Sequence, residues 1–470
     1  MSFFRADELS SAALYLENGR CIDYAELKQE VEGFSREFSE RGIVFCLCNN
    51  DFPSLRCYLS TLEGVATALL LPGSIQKPQL DTLLAAYAPR YLFHNRPDLL
   101  DYGATIWSAD GYSLVKCLES RPYEIHPDLA LLLATSGSAG SPKLVRLSLR
   151  NLEANADAII EYLNIDSGEC AISTLPIHYS YGLSVVNSHL RAGASVMLTN
   201  RSLMDPEFWR LVRRHKVTSF SGVPYTYEML LKLRIERLDM PTMKTMTQAG
   251  GKLAADETKL VAEACSKKGI RFFSMYGQTE ATARMSYLPS ERAFDKAGSI
   301  GLPIPGASMW IEDEHGNVIE QPGVIGELCF RGPNVSLGYA TTYSDLAVGD
   351  VNLGVLKTGD LASFDADGYF QVVGRLGRFL KIFGVRVSLD AVESLLANHG
   401  FQAAAFGNDD SLNVCLYGPN AGEPKIIRTQ LSASLMIHES AISVFRVAEL
   451  PRLSNGKVDY QTLSKDLSRK

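Results

Sequence analysis

The stretch TSGSAGSPK, residues 135–143, gathers three serines, a threonine, two glycines and a lysine into one short loop. Backbone N–H groups, hydroxyl donors and a cation converging at one place suit phosphate oxygens. A P-loop, by contrast, puts Gly-Lys before Ser or Thr at the mouth of a helix. Here Lys143 follows Pro142 and strand-like sequence comes next, which argues against a P-loop phosphotransferase. A solvated Ser/Gly turn is the plainer alternative for the loop taken alone.

Four further stretches carry groups able to bind or polarise a charged substrate: MYGQTE at 275–280, KTGDL at 357–361, GRLGRFLKIFGVR at 374–386 and PRLSNGK at 451–457. With the loop, they stand in the order and approximate spacing of one family. The chain resembles the adenylate-forming superfamily: acyl- and aryl-CoA synthetases, stand-alone nonribosomal adenylation domains and firefly-type luciferases. The resemblance covers roughly residues 130–460 and is weak before that.

The resemblance implies an enzyme, an AMP-forming acid–thiol ligase. A carboxylate attacks the α-phosphate of ATP, giving an acyl-adenylate and pyrophosphate, and a thiol then takes the acyl group. Both reactants are anions, so the site must supply positive charge and positioned donors. On this resemblance Thr135, Ser136, Gly137, Ser138, Gly140 and Lys143 hold the β- and γ-phosphates, although the family usually has threonine near Ser138 and glycine where this chain has Leu144. Tyr276, beside Gly277, stacks on adenine. Thr279 binds the α-phosphate through its hydroxyl. Glu280 binds Mg²⁺, a hard cation that prefers carboxylate oxygen. QAGGKL at 248–253 resembles the adenine wall, where Gly250 and Gly251 let backbone approach the base. Asp360 accepts from both ribose hydroxyls, Arg375 assists at the ribose or phosphate, and Lys457 bridges the substrate carboxylate and the α-phosphate. The bland alternatives are a core tyrosine, a surface glutamate, a turn-capping aspartate and a solvated lysine.

The same resemblance implies rotation of a C-terminal domain between half-reactions. Lys457 leaves, and the segment from Lys381 to Arg386, with Gly384, enters to shape a thiol tunnel. The family usually has Asp or Lys at the hinge, where this chain has Gly377. Glycine permits the rotation and removes a side-chain anchor for either state. LPIHYSYGLSVVNSHLRAGA, residues 175–194, matches the region lining the acyl pocket. Amino-acid-activating members carry an Asp there for the substrate ammonium, and this chain has Ser180. An ammonium left unpaired in a closed pocket is costly, so a fatty, short acyl or aryl acid is expected over an α-amino acid. His178 and Tyr179 lie near the pocket entrance by analogy, with a structural histidine the plainer reading of His178. GVPYTYEML at 222–230 forms another wall, with Tyr225 and Tyr227 either on it or in the core. The acceptor is coenzyme A or a separate phosphopantetheinylated acyl carrier protein; the chain ends 13 residues after Lys457, so no fused carrier is expected. A stand-alone amino-acid adenylation enzyme is the alternative, and a non-catalytic ligand-binding homologue a remote one.

The elements that must position these residues alternate helix and strand. Strand-like runs are GIVFCLC (42–48), TALLLP (67–72), LALLLA (129–134), ASVMLT (194–199), TSFSGVP (218–224) and RFFSMYG (271–277). The spacing predicts a helix over 151–163 with Asn151 as N-cap and Leu152, Ala156, Ile159, Ile160 and Leu163 on one face. The expected fold is α/β: a large N-terminal domain (1–375) of parallel-sheet layers with a small β-barrel-like part, then a mobile α+β domain (376–470). In that domain FLKIFGVRV reads as one strand, followed by helix, two strands, helix and strand.

The 470 residues allow two to four domains at about 150 residues each. A net charge of −7 excludes a nucleic-acid surface as the main role, since that needs a basic face. No run approaches a membrane span, and the N-terminus lacks a signal-peptide pattern. Nine scattered cysteines, with only Cys46 and Cys48 close, fit thiols in a reducing cytoplasm. The first 120 residues are left to fold and to the contacts of a homodimer.

Overall fold

Strands such as Ile43–Cys48, Thr67–Pro72 and Leu129–Ala134 are apolar at nearly every position because both faces are covered. The computed structural model describes residues 3–4, 10–118, 122–134, 143–382, 385–408, 410–418, 422–435, 437–453 and 458–467. Its described residues divide into two compact units, one of 1–308 with 330–356 and the other of 309–329 with 357–470.

The first unit holds two sheets. In the eight-stranded sheet, Ile43–Cys48 pairs in parallel with Thr67–Pro72 and Tyr91–His94, and Thr67–Pro72 with Leu129–Ala134. Leu144–Ser148 and Gly338–Ala340 then close one edge antiparallel. The nine-stranded sheet runs parallel from Ala12–Leu16 through Ser195–Leu198, Cys170–Ile172, Ser219–Gly222 and Thr245–Gln248 to Arg271–Tyr276. Between the sheets one core draws Val44, Leu70 and Leu133 against Leu183, Val186 and Leu190 of the helix Ser180–Arg191, and against Leu14 and Val196.

The helix expected from 151 starts earlier, at Leu149–Leu163, with Ser148 as N-cap. Asn151 occupies the third helical position of a capping box: its backbone N–H donates to Ser148 Oγ (3.1 Å) and its Oδ1 accepts from the Ser148 N–H (2.9 Å). Leu152, Ala156, Ile159 and Leu163 are buried as read, and Ile160 only half so.

In the second unit, the stretch expected to be barrel-like is a four-stranded sheet ordered Ser308–Glu312, Gly326–Arg331, Val355–Phe364, Phe370–Arg375. The helix Leu389–Asn398 packs against Phe370–Arg375, and contacts group 357–375 with the C-terminal elements and with 309–329 rather than with 1–308 and 330–356. FLKIFGVRV is two antiparallel strands, Phe379–Ile382 and Val385–Ser388. Leu380, Ile382 and Val387 are all buried. A single straight strand would put Val387 on the opposite face from the other two, since side chains alternate with period two. Folding back pairs Leu380 with Val387 and restores one apolar face. A three-stranded sheet of Gln402–Asn408, Ser411–Tyr417 and Ile442–Arg446 and the helices Pro424–Leu435 and Tyr460–Leu467 complete the unit.

Burial favours the neutral form of several histidines of the first unit, His178 and His215 among them. His189 is fully buried, with Nδ1 2.8 Å from the Val185 carbonyl, and its pKa is pushed down to about 4. Burial also lowers the pKa of His94. Below pH 6.5 the unfolded chain binds protons that the folded one refuses, so stability falls as pH drops from 6.5 towards 4. For His189 the loss at pH 5 is about 2 kcal/mol. The thermal midpoint should therefore fall between pH 7 and 5, and His189→Asn, which keeps a donor near Val185, should flatten that slope.

Candidate active site

The strand Arg271–Tyr276 ends at Gly277, where a Cβ would overlap the carbonyl oxygen of Ala283. The chain doubles back over this glycine. Ala281 and Ala283 N–H donate to the Gln278 carbonyl (3.0 and 3.1 Å), and Met285 N–H to that of Tyr276 (2.9 Å). The turn forces Thr282 and Ala283 to φ of 57° and 92°. Side chains there cost about 1–3 kcal/mol each, tolerated only where the surroundings over-determine the loop. Two buried asparagines do so. Asn334 Nδ2 donates to the carbonyls of Ala281 (2.8 Å) and Arg284 (2.9 Å), and Asn155 Nδ2 donates to Arg284 O as well (2.9 Å). Thr282 Oγ1 donates to the Asn334 carbonyl (2.6 Å). Thr279 and Glu280 stand on the outer turn of this pinned loop.

Thr279 Oγ1 lies 3.1 Å from Ser180 Oγ, the first residue of the helix Ser180–Arg191. A helix N-terminus favours negative charge, so the threonine hydroxyl and the helix start share one anion-attracting corner. Glu280 Oε1 accepts from the Tyr339 hydroxyl at 2.8 Å. Burial, and then the Glu280 charge, raise the Tyr339 pKa, so the phenol stays protonated and donates. Lys143 Nζ sits 3.6 Å from the centroid of the same ring.

Register explains this cluster. Tyr339 pairs with Val145 across the sheet edge, and Lys143, two residues before Val145, shares its face. Arg146, 1% exposed, fixes the edge. Its guanidinium donates to the carbonyls of Tyr339 (3.0 Å), Leu337 (2.7 Å), Gly349 (3.1 Å) and Val348. No lysine or arginine among the described residues pairs with Glu280. One Glu280 oxygen faces a neutral phenol and no described cation is ion-paired with the carboxylate, which fits Mg²⁺ held by one carboxylate plus substrate phosphates.

Gly250 has φ of 83°, and a Cβ there would stand 2.5 Å from Tyr179 Oη. Gln248 Nε2 donates to Gly251 O (2.9 Å) and its Oε1 accepts from Ser274 (3.2 Å), tying this turn to the strand that delivers Tyr276. Gln278 Nε2 donates to Tyr276 Oη at 3.2 Å. His178 is half-buried, its Nδ1 has no partner, and burial lowers its pKa to about 4, so it is neutral near pH 7. Tyr225 is 42% exposed at the start of the helix Pro224–Lys232, whereas Tyr227 is in the core, its hydroxyl donating to Thr247 O (2.8 Å).

The remaining described candidates belong to the second unit. Asp360, 1% exposed, pairs across the sheet with Arg375, whose Nε donates to Oδ1 at 2.7 Å. Lys381 and Arg386 face each other across the hairpin as backbone partners. Gly377 is exposed, and a Cβ there meets nothing within 4 Å. Thr135, Ser136, Gly137, Ser138, Gly140, Gly384 and Lys457 lie outside the described residues.

The profile of the AMP-binding enzyme family matches residues 78–340, more than half of the chain. The chain belongs to the AMP-binding enzyme family. This AMP-binding enzyme is 29% identical over 361 residues to an oxalate–CoA ligase of Arabidopsis thaliana, covering 73% of the chain and 69% of the relative. It is 31% identical over 280 residues to a 2-succinylbenzoate–CoA ligase of Enterococcus faecalis, covering 59% of the chain and 56% of the relative. Its fold is similar to that of ATP-bound MatB from Rhodopseudomonas palustris, with a TM-score of 0.79 at 23% identity over 98% of this chain and 97% of that one.

Tyr339, Asn334, Asn155 and Arg146 escaped the sequence reading. Each acts on the 279–284 loop or the Lys143 edge from far along the chain, and only the run GPNVSLGYA hinted at a turn before Tyr339.

Gly277→Ala should destabilise the AMP-binding enzyme by about 2–4 kcal/mol, because backbone and not a flexible side chain blocks the new methyl. Gly377→Ala should stay within about 0.5 kcal/mol of the parent. Urea unfolding of both variants checks the contrast.

Proposed function

We propose that this AMP-binding enzyme activates a carboxylic acid with ATP and passes the acyl group to a phosphopantetheine thiol, with coenzyme A as acceptor. The observation that carries this reading is the meeting of the Thr279 hydroxyl, the Ser180 helix start, the Glu280 carboxylate and the Lys143 cation around one pinned loop. The relatives named as CoA ligases support the choice of acceptor. A separate carrier protein would offer the same thiol arm.

The acid's carboxylate oxygen attacks the α-phosphorus, the bond to the β-phosphate bridge oxygen breaks, and pyrophosphate leaves with the electron pair. Thr279 donates to an α-phosphate oxygen as charge builds there. Lys143 exchanges the Tyr339 ring for the β- and γ-phosphates, a stronger partner for an ammonium than an aromatic face. Glu280 would hold Mg²⁺, which would supply charge neutralisation when bound. Tyr339 keeps Glu280 oriented. Tyr276 and the Gly250–Gly251 turn take the adenine, and Asp360, with Arg375 on one oxygen, takes the ribose hydroxyls. Lys457 bridges carboxylate and α-phosphate during adenylation. The domain 376–470 then turns about Gly377 and brings the Lys381–Arg386 hairpin to the thiol path. Ser180, in place of an aspartate, leaves no carboxylate for a substrate ammonium, which supports an acid without an α-amino group.

Acid-dependent ATP–pyrophosphate exchange, without thiol, tests the proposal. Exchange with one class of acid is expected, with AMP as the eventual nucleotide product; ADP, or silence with ATP binding intact, would contradict it. Lys457→Ala should lower exchange by about 100- to 1,000-fold while thiolation from supplied acyl-adenylate largely survives. Tyr339→Phe, which removes one hydrogen bond to Glu280, should cost about tenfold in exchange.

A further inference from the structure

The loop that presents Thr279 ends at Arg284, a side chain 1% exposed. The buried arginines of the first unit allow a direct comparison. Arg56 is ion-paired with Glu30 at 2.8 Å. Arg191 is ion-paired with Asp157 at 2.7 Å and Glu153 at 3.1 Å. Arg146 spends its donors on four backbone carbonyls. Arg284 has neither carboxylate nor carbonyl among the described residues. One terminal nitrogen reaches the Tyr162 hydroxyl at 3.3 Å and the Met275 sulfur, a weak acceptor, and the guanidinium carbon lies 4.3 Å over the Tyr181 ring. Its Nε is buried without an acceptor.

A guanidinium cannot shed its proton inside a protein, so it stays charged there. A buried charge without an anion is unfavourable, and a planar fork with free Nε is shaped for a bidentate carboxylate. Tyr181, whose ring covers Arg284, follows Ser180 directly on the helix Ser180–Arg191, whose first residue touches Thr279. Around it, Tyr162, Tyr179, Phe273, Met275 and Tyr287 form an aromatic cluster that contributes no carboxylate. One end of the 279–284 loop thus meets the reacting group, and its other end carries an unmatched cation.

We propose that Arg284 is a specificity-determining residue that receives a second acidic group of the substrate, making the preferred acid a dicarboxylic one. This rests on the acid-activating reading above. The reacting carboxylate lies at Thr279 and Ser180, the far carboxylate displaces the Tyr181 face from Arg284, and the aromatic cluster packs the carbon chain between them.

Matched acids test it: butanoate against succinate, hexanoate against adipate, and benzoate against terephthalate, in ATP–pyrophosphate exchange with the full chain. In at least one pair the diacid should exceed its monoacid by about 100-fold or more in kcat/KM, since a site built for a polar group rejects the analogue lacking it. Arg284→Met should collapse that ratio towards one, and Arg284→Lys should retain part of it. Circular dichroism and ATP binding of both variants separate misfolding from lost recognition. Monoacids preferred in every pair, or a diacid preference unchanged in Arg284→Met, would overturn the proposal. Calorimetry with the same diacids, without nucleotide, separates the two readings. Diacid binding that Arg284→Met abolishes, alongside silent exchange, would sustain the Arg284 site while the activation chemistry fails. Absence of both would end both.

Discussion

The carbonyl oxygen of Ala283 occupies the space that any side chain at residue 277 would need. That close approach lets the chain reverse directly after the strand Arg271–Tyr276, and the reversal sets everything around it. Thr279 and Glu280 are turned towards the helix start at Ser180 and the Tyr339 hydroxyl. Arg284 is turned inward. Two non-glycine residues at positive φ store strain in the turn, and hydrogen bonds from Asn334 and Asn155 hold it. A loop so constrained presents its hydroxyl and carboxylate ready-placed, which in the proposed reaction would spare reorganisation as charge develops on a phosphate.

The second constraint is electrostatic. Lys143 and Glu280 do not pair with one another; Tyr339 stands between them, its face to the ammonium and its hydroxyl to the carboxylate. A direct ion pair would have satisfied both charges and left neither available. An aromatic intermediary holds each more weakly than an ion pair would, which suits the roles proposed for them toward triphosphate and metal. Arg146 makes this arrangement dependable by binding the carbonyls of Leu337, Tyr339 and Gly349. The nucleotide chemistry expected of Asp360 and Arg375 belongs to the other unit, where the two already form an ion pair across adjacent strands.

Much of this was legible in the sequence, for stated reasons. Strands buried on both faces announce themselves as unbroken apolar runs, so 43–48, 67–72 and 129–134 were read almost to the residue. Motif order singled out Thr279, Glu280 and Lys143, which lie close together around one loop, and Asp360, which belongs to the other unit. The start of the helix at Leu149 was missed because Asn151 is as good a cap by type as Ser148, and only the reciprocal bonds decide. The hairpin in FLKIFGVRV was hidden by its uniform apolarity and shows only in the broken alternation between Ile382 and Val387. Asn334, Asn155 and Tyr339 reach the site through tertiary contacts that no local pattern encodes. Arg284 reads as one more surface arginine until burial and the missing anion are seen together.

The central claim is that the strained 279–284 loop, as it stands, is the reaction platform. A crystal structure of the full chain with ATP, Mg²⁺ and an acid that supports exchange tests it most directly. The account predicts an α-phosphate oxygen within hydrogen-bond distance of Thr279 Oγ1, a metal ion on Glu280, and Thr282 and Ala283 still at positive φ. Nucleotide bound away from Thr279 and Glu280, or a loop relaxed to ordinary backbone angles around the phosphate, would contradict it.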